Sequence, residues 1–321
     1  MNTQSRRSFI SRCALATAGI TVGGFVQAAP ATMRKPFGDQ EATVCAFSKM
    51  FDFLGQDMFP FLADAGFQGI DLTVRPGGFV RPENAEKELP AAVRNAQKNG
   101  LSVPMIATGI TDGTDPLAAK VLKTAADLGI RYYRTGYYYY NDRLSMVQNL
   151  EQIRKSFLGL SELNARYGLQ ASYQNHVGGA FGGSVWDLWY IVRDFDPRYV
   201  GCQYDIRHAV AEGLSSWKSG LKAISTHVGN LCIKDFIFES RNGKWGVRSV
   251  PLGTGAVDFN AFFDIVRTHH INGPMSVHYE FSLIDSRDES LPVKEKMKKM
   301  LPVVHKEVDT LSGFIKNDKT I

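Results

Sequence analysis

Strand-like and helix-like segments alternate along most of the chain, and this alternation restricts the fold more than any other feature of the sequence. Eight short apolar runs, from TVCAF at residue 43 to PMSVHYEF at residue 274, are separated by stretches with helical spacing. Such alternation is typical of parallel strands joined by helices. Eight units in a single domain of about 290 residues predict a closed (β/α)8 barrel, the TIM barrel, over residues 42–316 rather than an open doubly wound sheet.

Polar side chains stand where the predicted strands end. In a barrel of this kind the chemistry takes place at the carboxyl ends of the strands, so reactive groups should gather there. The fifth to eighth strand candidates all end in such groups, and the second and fourth each end in an arginine. In chain order the residues are Arg75, Arg134, Gln174, Asn175, His176, Asp205, Arg207, His208, Lys234, Asp235, His278 and Glu280.

Alternation along a strand sorts these groups into two layers. Residues two apart on a strand point to the same face. On that rule three pairs face the barrel mouth together, namely Gln174 with His176, Cys232 with Lys234, and His278 with Glu280. Any one of these residues could be a structural group or a helix cap, but four consecutive strand ends of this type indicate a functional site.

The order of the motifs resembles a known family. YQNH, VGCQYDIRHA, IKDF, PLGTGAVDF and SVHYEF follow one another as in the xylose isomerase-like TIM barrels of the sugar phosphate isomerase/epimerase superfamily, and GIDLTVRPGG fits the second strand. The resemblance extends from about residue 42 to residue 281. It implies a substrate with an oxygen next to a carbonyl group, and a proton moved at that position. Most members of the family hold a divalent metal between four strand ends.

The sequence departs from the metal pattern of the family. The usual ligands are Glu, Asp, His and Glu, and the matching positions are Gln174, Asp205, Cys232 and His278, so only the aspartate is kept. Mg²⁺ and Mn²⁺ prefer oxygen ligands, whereas zinc accepts Asp, Cys and His. Two alternatives stay open: one divalent metal, zinc or manganese, or side chains that replace the metal.

Enediolate chemistry suggests roles for the remaining residues. Proton removal next to a carbonyl needs a base of near-neutral pKa and a positive group at the developing oxyanion. His176 and Glu280 are the candidates for base and acid, on the expectation that burial brings both toward neutrality. Lys234 is the candidate for polarising the carbonyl, and Arg207 is expected to form a structural salt bridge. The predicted substrate-binding residues are Arg75, Arg134, Asn175, His208 and Asp235.

The amino terminus predicts export. Arg6 and Arg7 precede a mild apolar stretch over residues 14–26, which resembles a Tat signal peptide of residues 1–28 with cleavage near Ala29. The alternative is an uncleaved membrane anchor. Cleavage removes three arginines and no acidic residue, which lowers the formal net charge from +5 to +2. We therefore expect a periplasmic protein without stable membrane insertion or a nucleic-acid partner. The oligomeric state cannot be inferred from the sequence.

These observations favour a sugar or keto-sugar isomerase or epimerase that acts on a small-molecule substrate. A lyase or dehydratase of the same fold and a non-catalytic carbohydrate-binding relative remain alternatives. A metal-dependent phosphodiesterase, such as an abasic-site endonuclease, shares the barrel. It is disfavoured by the nearly neutral mature charge and by the reduced metal set.

Overall fold

The computed structural model describes residues 43–316, and the predicted signal peptide lies outside them. Eight parallel strands close into a barrel in the order β1-β10-β7-β6-β5-β4-β3-β2, which confirms the predicted fold. The strands, including a two-stranded hairpin formed by β8 and β9, are β1 (Val44–Phe47), β2 (Gly69–Val74), β3 (Ser102–Thr108), β4 (Tyr132–Arg134), β5 (Gln170–Gln174), β6 (Val200–Asp205), β7 (Val228–Ile233), β8 (Asp235–Arg241), β9 (Lys244–Val250) and β10 (Met275–Val277).

Helices cover the outside of the barrel. They are α1 (Met58–Asp64), α2 (Ala85–Lys98), α3 (Pro116–Asp127), α4 (Met146–Tyr167), α5 (Val185–Val192), α6 (Ile206–Gly213), α7 (Trp217–Ile224), α8 (Phe259–Thr268) and α9 (Val293–Lys316). None of the helices within residues 43–316 is long and apolar enough to cross a membrane. The bounds of α4 follow from its caps: Ser145 and Gln148 form a reciprocal capping box, and Gly168 ends the helix with a φ of 71°.

The register of the strands brings the polar groups to one level. Gln174 pairs with Gln203 across β5 and β6, and Asp205 pairs with Cys232 across β6 and β7. Cys232 in turn pairs with Ser276 on β10. The carboxyl ends of β5, β6, β7 and β10 therefore lie side by side, as the sequence predicts for a barrel.

The antiparallel hairpin of β8 and β9 is not among the predicted elements. It follows β7 after a single residue, and β8 and β9 pair from Asp235 with Val250 to Arg241 with Lys244. Asn242 and Gly243 form its turn with φ values of 53° and 74°. An Asn-Gly turn with two positive φ values matches the twist of a hairpin. The NG dipeptide was therefore the sequence signal from which this hairpin could have been predicted.

Candidate active site

Lys234 lies at the centre of the carboxyl end of the barrel. It follows β7 directly, and only 2% of its side chain is exposed. Its Nζ is 3.0 Å from Asp205 Oδ2 and 3.0 Å from Glu280 Oε1. It is also 3.0 Å from His208 Nε2. One buried ammonium, itself at the end of β7, thus joins groups at the ends of two other strands, β6 and β10.

Asp205 serves both a helix and the site. As the N-cap of α6 it accepts a hydrogen bond at Oδ1 from the His208 N–H, at 3.1 Å. Its Oδ2 accepts from Lys234 and from Gln174 Nε2, the latter at 2.7 Å. The side chain is fully buried. Asp205 is therefore fixed by strand, helix and side-chain contacts at once, which explains why this aspartate and His208 stand three residues apart.

Gln174 presents its amide nitrogen to the centre of the site. Its Oε1 accepts hydrogen bonds from Arg134 Nη1 at 3.1 Å and from the Tyr137 hydroxyl at 2.6 Å. These two donors fix the orientation of the amide, since the other end can then only donate. The NH₂ group accordingly donates to Asp205, and it lies 3.5 Å from Cys232 Sγ.

The charges of the central cluster are mutually stabilised. Burial on its own would raise the pKa of Asp205, but the ammonium of Lys234 outweighs burial and holds this pKa far below its ordinary range. Burial would lower the pKa of Lys234, but Asp205 and Glu280 instead raise it, so Lys234 remains an ammonium. For Glu280 burial acts upward and the Lys234 charge downward, with a lowered pKa as the net result. The expected shift of Glu280 toward neutrality is therefore wrong, because the Lys234 ammonium stabilises the charged form of its carboxylate.

The two histidines at the mouth differ in their surroundings. Burial lowers the pKa of His208 to about 2 despite the nearby Asp205, so this ring is neutral. Its Nδ1 lies 2.8 Å from Arg207 Nη1. His176 is half-buried and lies beside His208, with 4.1 Å between the ring centroids. Its Nδ1 is 2.9 Å from the Val177 carbonyl oxygen and must donate there, which leaves Nε2 to accept a proton.

The four residues at the metal positions do not fit a divalent cation. Gln174 directs hydrogen atoms rather than a lone pair toward Asp205, and the ammonium of Lys234 already neutralises that carboxylate. Burial raises the pKa of the Cys232 thiol, so no thiolate is ready for zinc. His278 Nε2 is 3.1 Å from Ser276 Oγ. Within residues 43–316 no group of three or more His, Cys, Asp or Glu side chains has an arrangement that could hold a metal.

The structure gives three predicted residues a different role. Asn175 exchanges two hydrogen bonds with the backbone of Asp205 and thereby links β5 to β6. Asp235 accepts from the backbone N–H groups of residues 236, 253, 255 and 257, so it fixes the loop after the hairpin rather than a substrate. Arg207 forms no salt bridge with any residue in the described range. Its guanidinium lies over the Phe236 ring, 5.6 Å from the centroid.

Two further groups at the site were not among the predicted site residues. Tyr137 orients Gln174 through its hydroxyl, and an aromatic run such as GYYYYND does not reveal which tyrosine does so. Asp71 on β2 accepts a hydrogen bond from Ser276 Oγ at 2.7 Å and lies 3.9 Å from His278 Nε2. The sequence signal for this residue was an aspartate inside the apolar run GIDLTV. The structure shows that this aspartate is fully buried.

A closed barrel of eight parallel strands, with ionisable groups gathered at the carboxyl ends, defines a TIM barrel whose candidate site lies where enzymes of this fold carry theirs. The chain belongs to the xylose isomerase-like TIM barrel family, whose family model matches residues 59–301. No curated protein sequence matches the chain significantly.

Solved structures agree with this fold. A 3-keto-D-glucoside 4-epimerase from E. coli is 13% identical, with a TM-score of 0.59 over 83% of this chain and 100% of that one. A D-allulose 3-epimerase from Methylomonas sp. is 15% identical, with a TM-score of 0.61 over 85% and 97%. A probable 3-DHS dehydratase from Bacillus anthracis is 15% identical, with a TM-score of 0.58 over 82% and 98%. At these identities the similarity shows the fold alone.

Proposed function

We propose that this protein is a sugar or keto-sugar isomerase or epimerase that moves a proton next to a carbonyl group through an enediolate. The observation that carries the proposal is the buried Lys234 ammonium, held by two carboxylates next to two histidine rings that contact each other at a tilt of 39°. A fixed cation in a dry site stabilises an oxyanion more strongly than water does, because it needs no reorganisation during the reaction. The proposal also agrees with the epimerases among the solved structures of this fold.

The geometry supports a division of the chemical steps. Lys234 polarises the substrate carbonyl and then holds the enediolate oxygen. The ammonium already contacts Asp205, His208 and Glu280, so a substrate oxygen reaches it by displacing Glu280, whose side chain is 42% exposed. His176 removes the proton at Nε2, while its Nδ1–H remains on the Val177 carbonyl. Glu280 starts as a carboxylate, so it can accept the proton of the neighbouring hydroxyl group and pass it to the former carbonyl oxygen, while the protonated His176 returns its proton to carbon.

Exchange of the substrate proton with solvent tests this function directly. We expect the protein in deuterated water to incorporate deuterium next to the carbonyl of at least one member of a panel of aldoses, ketoses and keto-sugars, followed by nuclear magnetic resonance. Inversion of the exchanged carbon indicates an epimerase, and a shifted carbonyl an isomerase. Loss of water would instead indicate a lyase or dehydratase. Binding without any exchange would indicate a carbohydrate-binding protein and contradict the proposal.

Removal of metal ions provides the matching control. Because the ammonium of Lys234 is paired with Asp205, we expect dialysis against a strong chelator to leave the rate of proton exchange unchanged. Elemental analysis of the same sample measures its metal content. Loss of exchange that zinc or manganese restores would show that the site changes its arrangement to bind a metal.

We also propose that the protein is exported to the periplasm by the twin-arginine route, on the basis of Arg6, Arg7 and the apolar stretch that follows. The variant with Lys at both positions should accumulate as an uncleaved precursor in the cytoplasm, as followed by cell fractionation and amino-terminal sequencing. Normal processing near Ala29 in that variant would remove the assignment to this route.

A further inference from the structure

Two arginines converge at the opposite side of the barrel mouth from the hairpin strands. Arg75 follows β2 and Arg134 ends β4, and both strands pair with β3. Their guanidinium carbons lie 5.8 Å and 5.2 Å from the centroid of the same Phe47 ring. The aromatic ring thus holds two positive groups close together, although like charges repel.

Neither arginine forms a salt bridge with a residue of the described range 43–316, although the charges of Asp52 and Asp71 act on Arg75 from a greater distance. Arg134 is only 5% exposed, and its Nη1 donates to the neutral Gln174 oxygen. Its Nε is buried without a hydrogen-bond partner. Burial and the charge of Arg134 together lower the pKa of Arg75. A buried, unpaired cation is costly, and such a group is expected to find an anion when a ligand binds.

A cavity of about 390 Å³ lies next to this pair. Arg75 and Arg134 line it together with Thr108, Thr135, Tyr137 and Tyr139. No acidic residue is among the described residues that line it. The cavity therefore offers two guanidinium groups, hydroxyl groups and aromatic faces, a combination that suits the oxyanion and the polar body of a small ligand.

The pair is also connected to the central ammonium. Arg134 contacts Gln174, Gln174 contacts Asp205, and Asp205 contacts Lys234, at 3.1, 2.7 and 3.0 Å. A small molecule whose anionic end binds the arginines is consequently separated from Lys234 by two intervening side chains, Gln174 and Asp205. Tyr137 lines this cavity, and its ring centroid lies 5.1 Å from that of His176, so the cavity adjoins the proposed base.

We propose that Arg75 and Arg134 bind an oxyanion of the substrate, so that the protein acts on an acidic sugar that carries a carboxylate or a phosphate. This inference rests on the proposed function, because it specifies the substrate class of the same site. Charge-assisted hydrogen bonds from two guanidinium groups distinguish such a sugar from its neutral counterpart.

Calorimetric titration tests the inference without turnover. The probes are a hexuronate, the corresponding hexose 6-phosphate and the neutral hexose. We expect one of the two anions to bind, with a Kd that rises with salt, and the neutral sugar to bind at least about 10-fold more weakly. Replacing Arg75 or Arg134 with Gln should weaken binding of that anion by about 10- to 100-fold, since a hydrogen bond to a charged group is lost.

Arg94→Gln is the matched control, because Arg94 lies exposed on the outer helix α2. It should leave the Kd unchanged. If Arg134→Gln does not fold, the half-buried Arg75 still provides the test. Equal binding of anionic and neutral sugars, or an unchanged Kd in Arg75→Gln, would overturn the inference. Anion binding without proton exchange would keep the inference and refute the proposed function. Proton exchange with neutral sugars alone would support the proposed function and refute the inference.

Discussion

Replacing Lys234 with Met is expected to reduce kcat/KM by about two to three orders of magnitude, as is usual when one oxyanion-stabilising group is lost. Methionine keeps much of the length and apolar character of the lysine stem but removes the charge next to the carbonyl. Proton exchange and turnover should fall together, because the same oxyanion is stabilised in both. Steady-state kinetics and exchange in deuterated water provide the measurements.

The same substitution should also alter stability in a characteristic way. It leaves the fully buried Asp205 without its cation, which typically costs about 3–5 kcal/mol in the free energy of unfolding. In the wild type the lowered pKa of Asp205 gives stability that is present above the unfolded-state pKa and is lost as the pH falls through the folded value. Without Lys234, burial should raise this pKa instead, so the variant should become more stable as the pH falls toward 4.

A double variant separates chemistry from folding. Lys234→Met combined with Asp205→Asn removes both charges, so it should recover much of the lost stability while remaining inactive. Cys232→Ser should be far milder, because the buried thiol carries no charge in the site. A nearly silent Lys234→Met, together with a Cys232→Ser variant that loses both activity and bound metal, would show that the protein is a zinc enzyme.

Replacing His176 with Gln is expected to slow proton exchange by about two to four orders of magnitude, the usual contribution of a general base. Glutamine can still donate to the Val177 carbonyl but cannot take up a proton in the reaction. Because His176 is only half-buried, the melting temperature should change little. Substrate binding measured by calorimetry should also be close to the wild-type value, so the loss should appear in kcat.

His305 provides the comparison for this variant, since it lies on α9 with 53% of its side chain exposed. His305→Gln should behave as the wild type. If His176→Gln retains full exchange while Glu280→Gln abolishes it, Glu280 is the base, and His176 only shapes the mouth of the barrel.

The sequence predicted the barrel and the level at which its polar groups meet, because both follow from the period of apolar residues and the direction of parallel strands. It could not distinguish side chains that face the barrel mouth from side chains that form hydrogen bonds with the backbone. Asn175 and Asp235 have the same chemistry as binding residues, and only the structure reveals that their hydrogen bonds are already used. The hairpin was not predicted from the sequence. The seventh strand was expected to end at IKDF, and the Asn-Gly turn farther along the chain was given no weight.

Charge states were the least predictable feature. Glu280 was expected to be close to neutrality because buried carboxylates usually are. Its pKa is lowered instead, since Lys234 reaches it from another strand at 3.0 Å. The sequence places both residues at the mouth of the barrel. The direction of the pKa shift of Glu280, however, depends on how close its carboxylate lies to the Lys234 ammonium, and no sequence pattern encodes that distance.

The position of the groups along the chain has an evolutionary consequence. Asp205, Lys234 and Glu280 all come from the second half of the chain and are joined by two ion pairs that share one ammonium, whereas Arg75 and Arg134 come from the first half. Gln174 connects the two sets through an uncharged amide, which accepts from Arg134 and donates to Asp205. Mutations at Arg75 can therefore accumulate with little effect on Asp205, Lys234 and Glu280, whereas Arg134 also orients the Gln174 amide that donates to Asp205. Descendants of this barrel could diversify in the molecules they accept while inheriting one unchanged reaction.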